Sequence, residues 1–203
     1  MCFHSKQSKD AQSLDKRFKA KVTTSESVTS ERFNGFVHPK TPVISNTSPD
    51  AIQLFSWGLI PFWAKDKSIQ KNTLNARIET IKDLPSFRNA VKNRCLIIVD
   101  GFFEWQWLDP AGKKKQQYLI SLPSDEAFAF AGIHSEWTDK TTGEILNTYS
   151  IVTTEADPFM AQIHNTKKRM PVILTPENER DWLSGAEVMG FAKPVVDLKA
   201  KPI

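Results

Sequence analysis

The sequence predicts an α+β domain: a mainly antiparallel, strongly curved sheet with peripheral helices. Three observations carry this. Runs rich in β-branched and aromatic residues crowd the middle of the chain, separated by turn signals. Helical signals are confined to short stretches. No internal repeat and no dividing linker interrupts the 203 residues, so a single domain over 1–203 is expected.

Taken in order, Gln7 to Ala20 is polar with Leu14 and Phe18 four apart, which predicts a surface helix with a thin apolar stripe. Thr23 to Ser30 reads as a loop. Prolines 39 and 42 exclude helix from Phe36 to Asn46 and make it extended chain. Ile52 to Trp57 reads as a strand, followed by an aromatic-bearing loop, Gly58 to Asp66. A short helix is expected from Pro85 to Lys92. Arg94 to Val99 is a continuous apolar strand, and after an Asp100-Gly101 turn a second strand runs from Phe102 to Trp107. Strands at Tyr118 to Leu122, Ala127 to Ile133 and Leu146 to Thr153 follow, with hairpin tips at Pro110 to Lys115 and Asp139 to Glu144. Asp157 to His164 and Glu177 to Leu183 are short helix candidates, the second led by Thr175-Pro176.

At 40% hydrophobic and 25% charged, the chain sits in the ordinary globular range, which argues against disorder and fibrous repeats. No apolar run approaches the roughly 18 residues of a spanning helix, and no apolar signal-peptide core follows Met1, so no membrane association and a cytoplasmic location are expected. Two cysteines 93 positions apart make neither a CxxC metal site nor a disulfide framework. The histidines lack helical i, i+4 partners, so no metal site and no cofactor are expected. No GxGxxG, GxxxxGK[ST] or GxSxG occurs, which removes the usual support for nucleotide hydrolysis and α/β-hydrolase chemistry. A net charge of +4 permits a polyanionic partner without requiring one.

Four groups could carry chemistry. Cys2 becomes a free amine and thiol on adjacent carbons if Met1 is removed; a thiol near a terminus is otherwise more often incidental. Asn75-Ala-Arg-Ile-Glu79 is a polar cluster that could equally be a turn with a surface ion pair. In Asp100-Gly-Phe-Phe-Glu104-Trp, strand alternation puts Glu104 on the face of Phe102. Desolvated there, its pKa rises into the range useful for proton transfer; on an edge strand it would simply face solvent. His164 is followed closely by Lys167, Lys168 and Arg169, the densest positive patch outside the 112–115 hairpin tip and a reasonable place for a phosphate.

Together with Met1-Cys2, these segments resemble the successive blocks of the SOS-response-associated peptidase (SRAP) family. The blocks are Trp57-Gly-Leu-Ile-Pro-Phe-Trp-Ala-Lys-Asp66, Asn75-Ala-Arg-Ile-Glu-Thr80, Arg94 to Trp105, Phe130-Ala-Gly-Ile133, Ile151-Val-Thr-Thr154, and Ile163-His164 to Arg169-Met-Pro-Val-Ile-Leu174. They run co-linearly to about residue 184, leaving a tail of about 185–203. The resemblance implies a curved, β-barrel-like core with a positive groove, and a monomer, nucleoid-associated if bacterial. It also implies action on abasic sites in single-stranded DNA during repair and the SOS response: a processed Cys2 closes a thiazolidine on the sugar aldehyde. Members are classed variously as proteases, hydrolases or lyases, although general peptidase activity is only an inference from the self-processing terminus.

The chemistry favours an N-terminal cysteine independently. An α-amine with a reference pKa of about 7.7–8.0 is roughly a quarter neutral at pH 7.4, whereas a lysine near 10.4 is neutral about once in a thousand. Both nucleophiles then come from one residue. Carried over by resemblance, His164 bonds the sugar ring oxygen and promotes ring opening as a general acid. Glu104 positions the amine and shuttles its proton. Asn75 and Arg77 hold the abasic nucleotide and its phosphate, Arg169 and Thr153 contact the DNA backbone, and Trp63 stacks at the strand or duplex end. The chain departs from the family's usual Met-Cys-Gly-Arg start with Phe3 and His4, and adds Thr166-Lys-Lys168 after His164; the mechanism is expected to survive with an altered groove. Two other readings use the same residues. One is an N-terminal-nucleophile cysteine autopeptidase or amidohydrolase; the other is a non-covalent single-stranded DNA binder in which aromatics stack bases and cations neutralise phosphates.

Overall fold

The apolar and β-branched runs form strands because their alternate side chains find two different cores. The computed structural model describes residues 2–203; the expected removal of Met1 falls outside them. The strands are β1 (His4–Gln7), β2 (Lys21–Val22), β3 (Ser30–Asn34), β4 (Lys40–Ser45), β5 (Ser48–Trp57), β6 (Asn75–Arg77), β7 (Arg94–Val99), β8 (Gly101–Trp107), β9 (Lys115–Ser121), β10 (Phe128–Thr138), β11 (Ile145–Glu155), β12 (Arg169–Pro171), β13 (Ile173–Leu174) and β14 (Lys199–Pro202). Three short helices, α1 (Ala11–Phe18), α2 (Pro158–Ile163) and α3 (Glu179–Leu183), lie at the periphery.

Five strands close on themselves. β11 pairs β10, β10 pairs β7, β7 pairs β4 and β4 pairs β5, all antiparallel; a parallel pairing of β5 with β11 (Thr148 opposite Ser56) completes the ring. The expected barrel-like core is therefore a closed barrel. One set of alternating residues fills its interior: Val43, Phe55, Trp57, Cys95, Ile97, Phe130, Tyr149 and Ile151. The opposite set, including Ile44, Leu96, Ile98, Ala131 and Val152, packs outward against Leu14 of α1 and Trp182 of α3. Interior polar atoms are paired: Trp57 Nε1 donates to the Leu74 carbonyl at 2.9 Å, and the Tyr149 and Thr41 hydroxyls share a 2.7 Å bond. Both cysteines are free thiols and buried.

A second, five-stranded sheet in the order β14-β9-β8-β1-β3 packs Phe102 and Ile120 into the same core. The chain passes from barrel to second sheet at Asp100, whose backbone N–H donates to Lys6 and whose carboxylate accepts from Ser8. Glu104 consequently lies on β8, between β1 and β9.

Close packing inside the barrel explains Gly132 on β10. A Cβ there would lie 2.6 Å from Ile97 Cδ1 and 2.7 Å from Cys95 Sγ. Gly132→Ala is expected to destabilise the fold by about 1–3 kcal/mol through overpacking, read as a lower denaturation midpoint at unchanged m value. Wild-type stability in this variant would mean that the barrel core yields more than its contacts suggest.

Several local expectations are corrected. Helix α1 starts only at Ala11, because Gln7 completes β1 and its amide donates to the carbonyls of Lys9 and Val28, while Asp10 caps the helix. The stretch expected to be extended from Phe36 begins instead with a 3₁₀ turn at Gly35–Val37; strand starts at Lys40. The helix expected from Pro85 is a single 3₁₀ turn, Arg88–Ala90, since Phe87 and Ala90 are the fully packed apolar residues, with Val91 partly buried after them, and one turn suffices for these. Helix α3 starts at Glu179 rather than Glu177, with Asn178 Oδ1 accepting from the Thr175 N–H. Among the described residues no helix is long and apolar enough to cross a membrane.

Candidate functional site

Cys2 is fully buried at the edge of the barrel core, just before β1. Asn75 Nδ2 donates to its carbonyl at 2.9 Å, and the Phe3 carbonyl accepts from Gly35 N–H at 2.8 Å, so the segment is fixed on two sides. Asn75 itself is placed by β6, a three-residue strand lying parallel to β11 with Asn75 opposite Ile151. Its Oδ1 is buried without a hydrogen-bond partner among the described residues. Burial, followed by the charge of Glu104, raises the Cys2 thiol well above its ordinary value, so it rests as a neutral thiol.

Glu104 is 3% exposed, which removes the reading of it as a solvent-facing edge residue. Burial lifts its carboxyl to about 7, the poise expected from its position among aromatics. It can gain or lose a proton at neutral pH.

His164 ends α2, which Asp157 caps by accepting from the Met160 N–H at 2.7 Å. The imidazole Nδ1 lies 2.7 Å from the Arg169 carbonyl and 3.2 Å from the Arg169 N–H. The two contacts imply opposite tautomers, since the Arg169 N–H donates to an unprotonated Nδ1 while the carbonyl needs Nδ1–H; the shorter one favours Nδ1–H, with Nε2 as the acceptor of the neutral ring. Burial, with a further contribution from Lys167, lowers its pKa to about 4. Two amide bridges fasten this turn to β8: Asn165 and Trp107 exchange side-chain–backbone hydrogen bonds at 2.9 and 3.1 Å, and Gln106 Nε2 donates to Gln162 at 3.0 Å. The sequence had pointed to neither Asn165 nor Gln106. The one available signal for Asn165 was its place directly after His164.

Cys2 thus meets Asn75 and the charge of Glu104 at one buried spot, and the α2 turn bearing His164 is tied to the far end of β8, the strand that carries Glu104. The residues expected on DNA divide differently. Arg77 is exposed at the end of β6. Trp63 is 46% exposed on the loop after β5, beside the more exposed Phe62. Lys167 and Lys168 are exposed. Thr153, in contrast, is fully buried, with its hydroxyl turned to the Ala76 carbonyl. Arg169 is 7% exposed; its guanidinium forms a bidentate pair with Glu79 at 2.6 and 2.9 Å and also donates to the Thr153 carbonyl at 2.8 Å. Glu79 lies in an exposed turn with an ion pair, one of the two readings the sequence left open, but its partner Arg169 is buried. Among the described residues, no cluster of three metal-ligating side chains occurs.

Comparison with known proteins shows the family and the fold. The family model "SOS response associated peptidase (SRAP)" matches residues 1–201. "Abasic site processing protein YoqW" of Bacillus subtilis is 45% identical over 143 residues, covering 70% of this chain and 61% of its own length. "Abasic site processing protein HMCES" of Gallus gallus is 30% identical over 188 residues, covering 78% of this chain and 54% of its own. The chain therefore spans little more than half to three fifths of these relatives. A crystal structure of a Bacteroides thetaiotaomicron protein superposes with a TM-score of 0.90 at 36% identity, over all of this chain and 92% of that one. A family match over nearly every residue, with the same fold in a solved relative, means that the chain belongs to the SOS response associated peptidase (SRAP) family.

Proposed function

We propose that this protein processes abasic sites by capturing them in single-stranded DNA, through a thiazolidine formed by Cys2 once Met1 has been removed. The observation that carries the reading is the burial of Cys2 with Glu104, a carboxyl poised near neutrality whose charge is felt by the thiol. The names of the relatives support it from a second side.

Ring opening of the abasic sugar exposes its aldehyde. The Cys2 amine adds to that carbon, and loss of water gives an imine; Glu104 as carboxylate takes a proton from the ammonium and as acid returns one to the departing hydroxyl. The thiol then adds across the C=N bond, its hydrogen passing to nitrogen by way of Glu104, and the five-membered ring closes. Because the thiol rests protonated, the amine attacks first. His164 rests neutral, so it serves as general acid toward the sugar only when phosphates of the incoming strand raise its pKa. The exposed Arg77, Lys167 and Lys168 are the cations that meet those phosphates, and Trp63 offers a stacking face.

Intact mass spectrometry before and after incubation with an abasic single-stranded oligonucleotide tests the reading. The expected result is loss of the Met1 mass, then gain of the oligonucleotide mass less one water. Binding without a mass increase would leave only a non-covalent binder.

A further inference from the structure

We propose that Glu79 is a positioning residue of this site: through its ion pair with Arg169 it holds the peptide group that orients the His164 imidazole. The proposal rests on the reading that His164 acts on the lesion sugar. Glu79 lies two residues beyond β6 and four beyond Asn75; Arg169 opens β12, five residues beyond His164. The two segments flank opposite sides of β11: β6 pairs it in parallel through Thr153 and Arg77, and β12 pairs it antiparallel through Glu155 and Arg169. One side chain of each segment reaches across and meets the other.

The contact is built rather than incidental. The guanidinium is buried, and its two terminal nitrogens meet the two carboxylate oxygens at 2.6 and 2.9 Å. This bidentate geometry specifies orientation as well as attraction. The Thr153 carbonyl is the common anchor, accepting from Arg169 Nη2 at 2.8 Å and from the Ile78 N–H at 2.9 Å. Burial on its own would raise the Glu79 carboxyl, yet hydrogen bonds from Arg169, with the charges of Arg169 and Arg77, bring it below its ordinary value. The backbone of the same Arg169 then contacts His164 Nδ1 at 2.7 Å through its carbonyl. Tautomer and ring orientation are thereby set from Glu79, a residue remote in sequence from His164.

The test compares Glu79→Ala, the near-isosteric Glu79→Gln and the charge-conserving Glu79→Asp with the parent protein. Two measurements are made: ¹⁵N spectra of the His164 ring in DNA-free protein, assigned with His164→Gln, and the rate of adduct formation against concentration of abasic single-stranded oligonucleotide. Expected are a loss of the single Nδ1–H tautomer in Ala and Gln, and a maximal rate lower by about tenfold to a hundredfold, with half-saturating DNA within about twofold and partial recovery in Asp. Unchanged ring spectra in folded Ala and Gln variants would overturn the proposal. So would tighter DNA binding at an unchanged maximal rate, which would make Glu79 only an occupant of a phosphate site. If the parent forms no adduct, the functional reading fails, and the ring spectra alone decide the positioning role.

Discussion

Cys2→Ala is expected to reduce stable adduct formation with abasic single-stranded DNA to background, while affinity for the undamaged strand stays close to that of the parent. The variant keeps an α-amine after Met1 removal, so imine formation is still open to it. What it lacks is the sulfur that closes the ring, and an imine hydrolyses in water. Trapping with borohydride should therefore recover a linked species from Cys2→Ala that is absent without reductant. Ala is preferred to Ser because the Cys2 thiol meets the His4 carbonyl at 3.5 Å, so a Ser hydroxyl could be held in the same place and remain a second nucleophile. Denaturing electrophoresis with and without borohydride reads both states. An undiminished reductant-independent adduct in Cys2→Ala would remove Cys2 from the chemistry.

Glu104→Gln is expected to do two opposite things: to stabilise the protein above neutral pH and to slow capture. The carboxyl titrates near 7 in the fold against an ordinary value of 4.5. The folded chain therefore retains a proton that the unfolded chain releases, and stability falls as pH rises from about 4.5 to about 7. Above that window the buried carboxylate costs on the order of 3 kcal/mol, which a neutral amide of the same shape avoids. Denaturation at pH 4 and pH 8 should show parent and variant nearly equal in the first and well separated in the second. Parallel pH slopes would mean that Glu104 is not the buried titrating group. The rate of capture should fall by about a hundredfold, the scale of a lost proton-transfer group, and its rise with pH through 7 should flatten. A folded, more stable and less active variant would separate the functional from the structural reason for burying this acid.

Much of this was legible in the chain because strand positions carry their own punctuation. Cys95 to Val99 is unbroken apolar residues, and the strand Arg94–Val99 is buried along its whole length; the tips at 110–115 and 139–144 turn where their Gly, Pro and Asp residues require. Glu104 could be singled out because alternation places it on the face of Phe102, although the strand proves buried on both faces from Gly101 to Glu104. Closure of the barrel was not legible from periodicity, since the parallel contact of Thr148 with Ser56 joins segments about ninety residues apart. Nor could spacing show which charges are spent internally. Arg169 reads as one more cation of the 167–169 patch, and only the return of Glu79 across β11 shows that it faces inward. Short helices were placed well where a cap fixes them, as at Asp157, and badly at Pro85, where one turn was enough to bury Phe87 and Ala90.

Joining β5 to β11 also fixes an order of events during synthesis. Strands β4 and β5 emerge early and find each other at once, but their free edge waits for β11, which the ribosome delivers some ninety residues later. Contacts of such long range form slowly, and N-terminal portions otherwise rest incompletely packed. Asn75 takes its place only when β6 has β11 to lie against, and His164 follows still later. On the proposed reading, a partly made chain thus carries Cys2 from the first moments of translation without Asn75 and the His164 turn, which join it only near the end of its assembly.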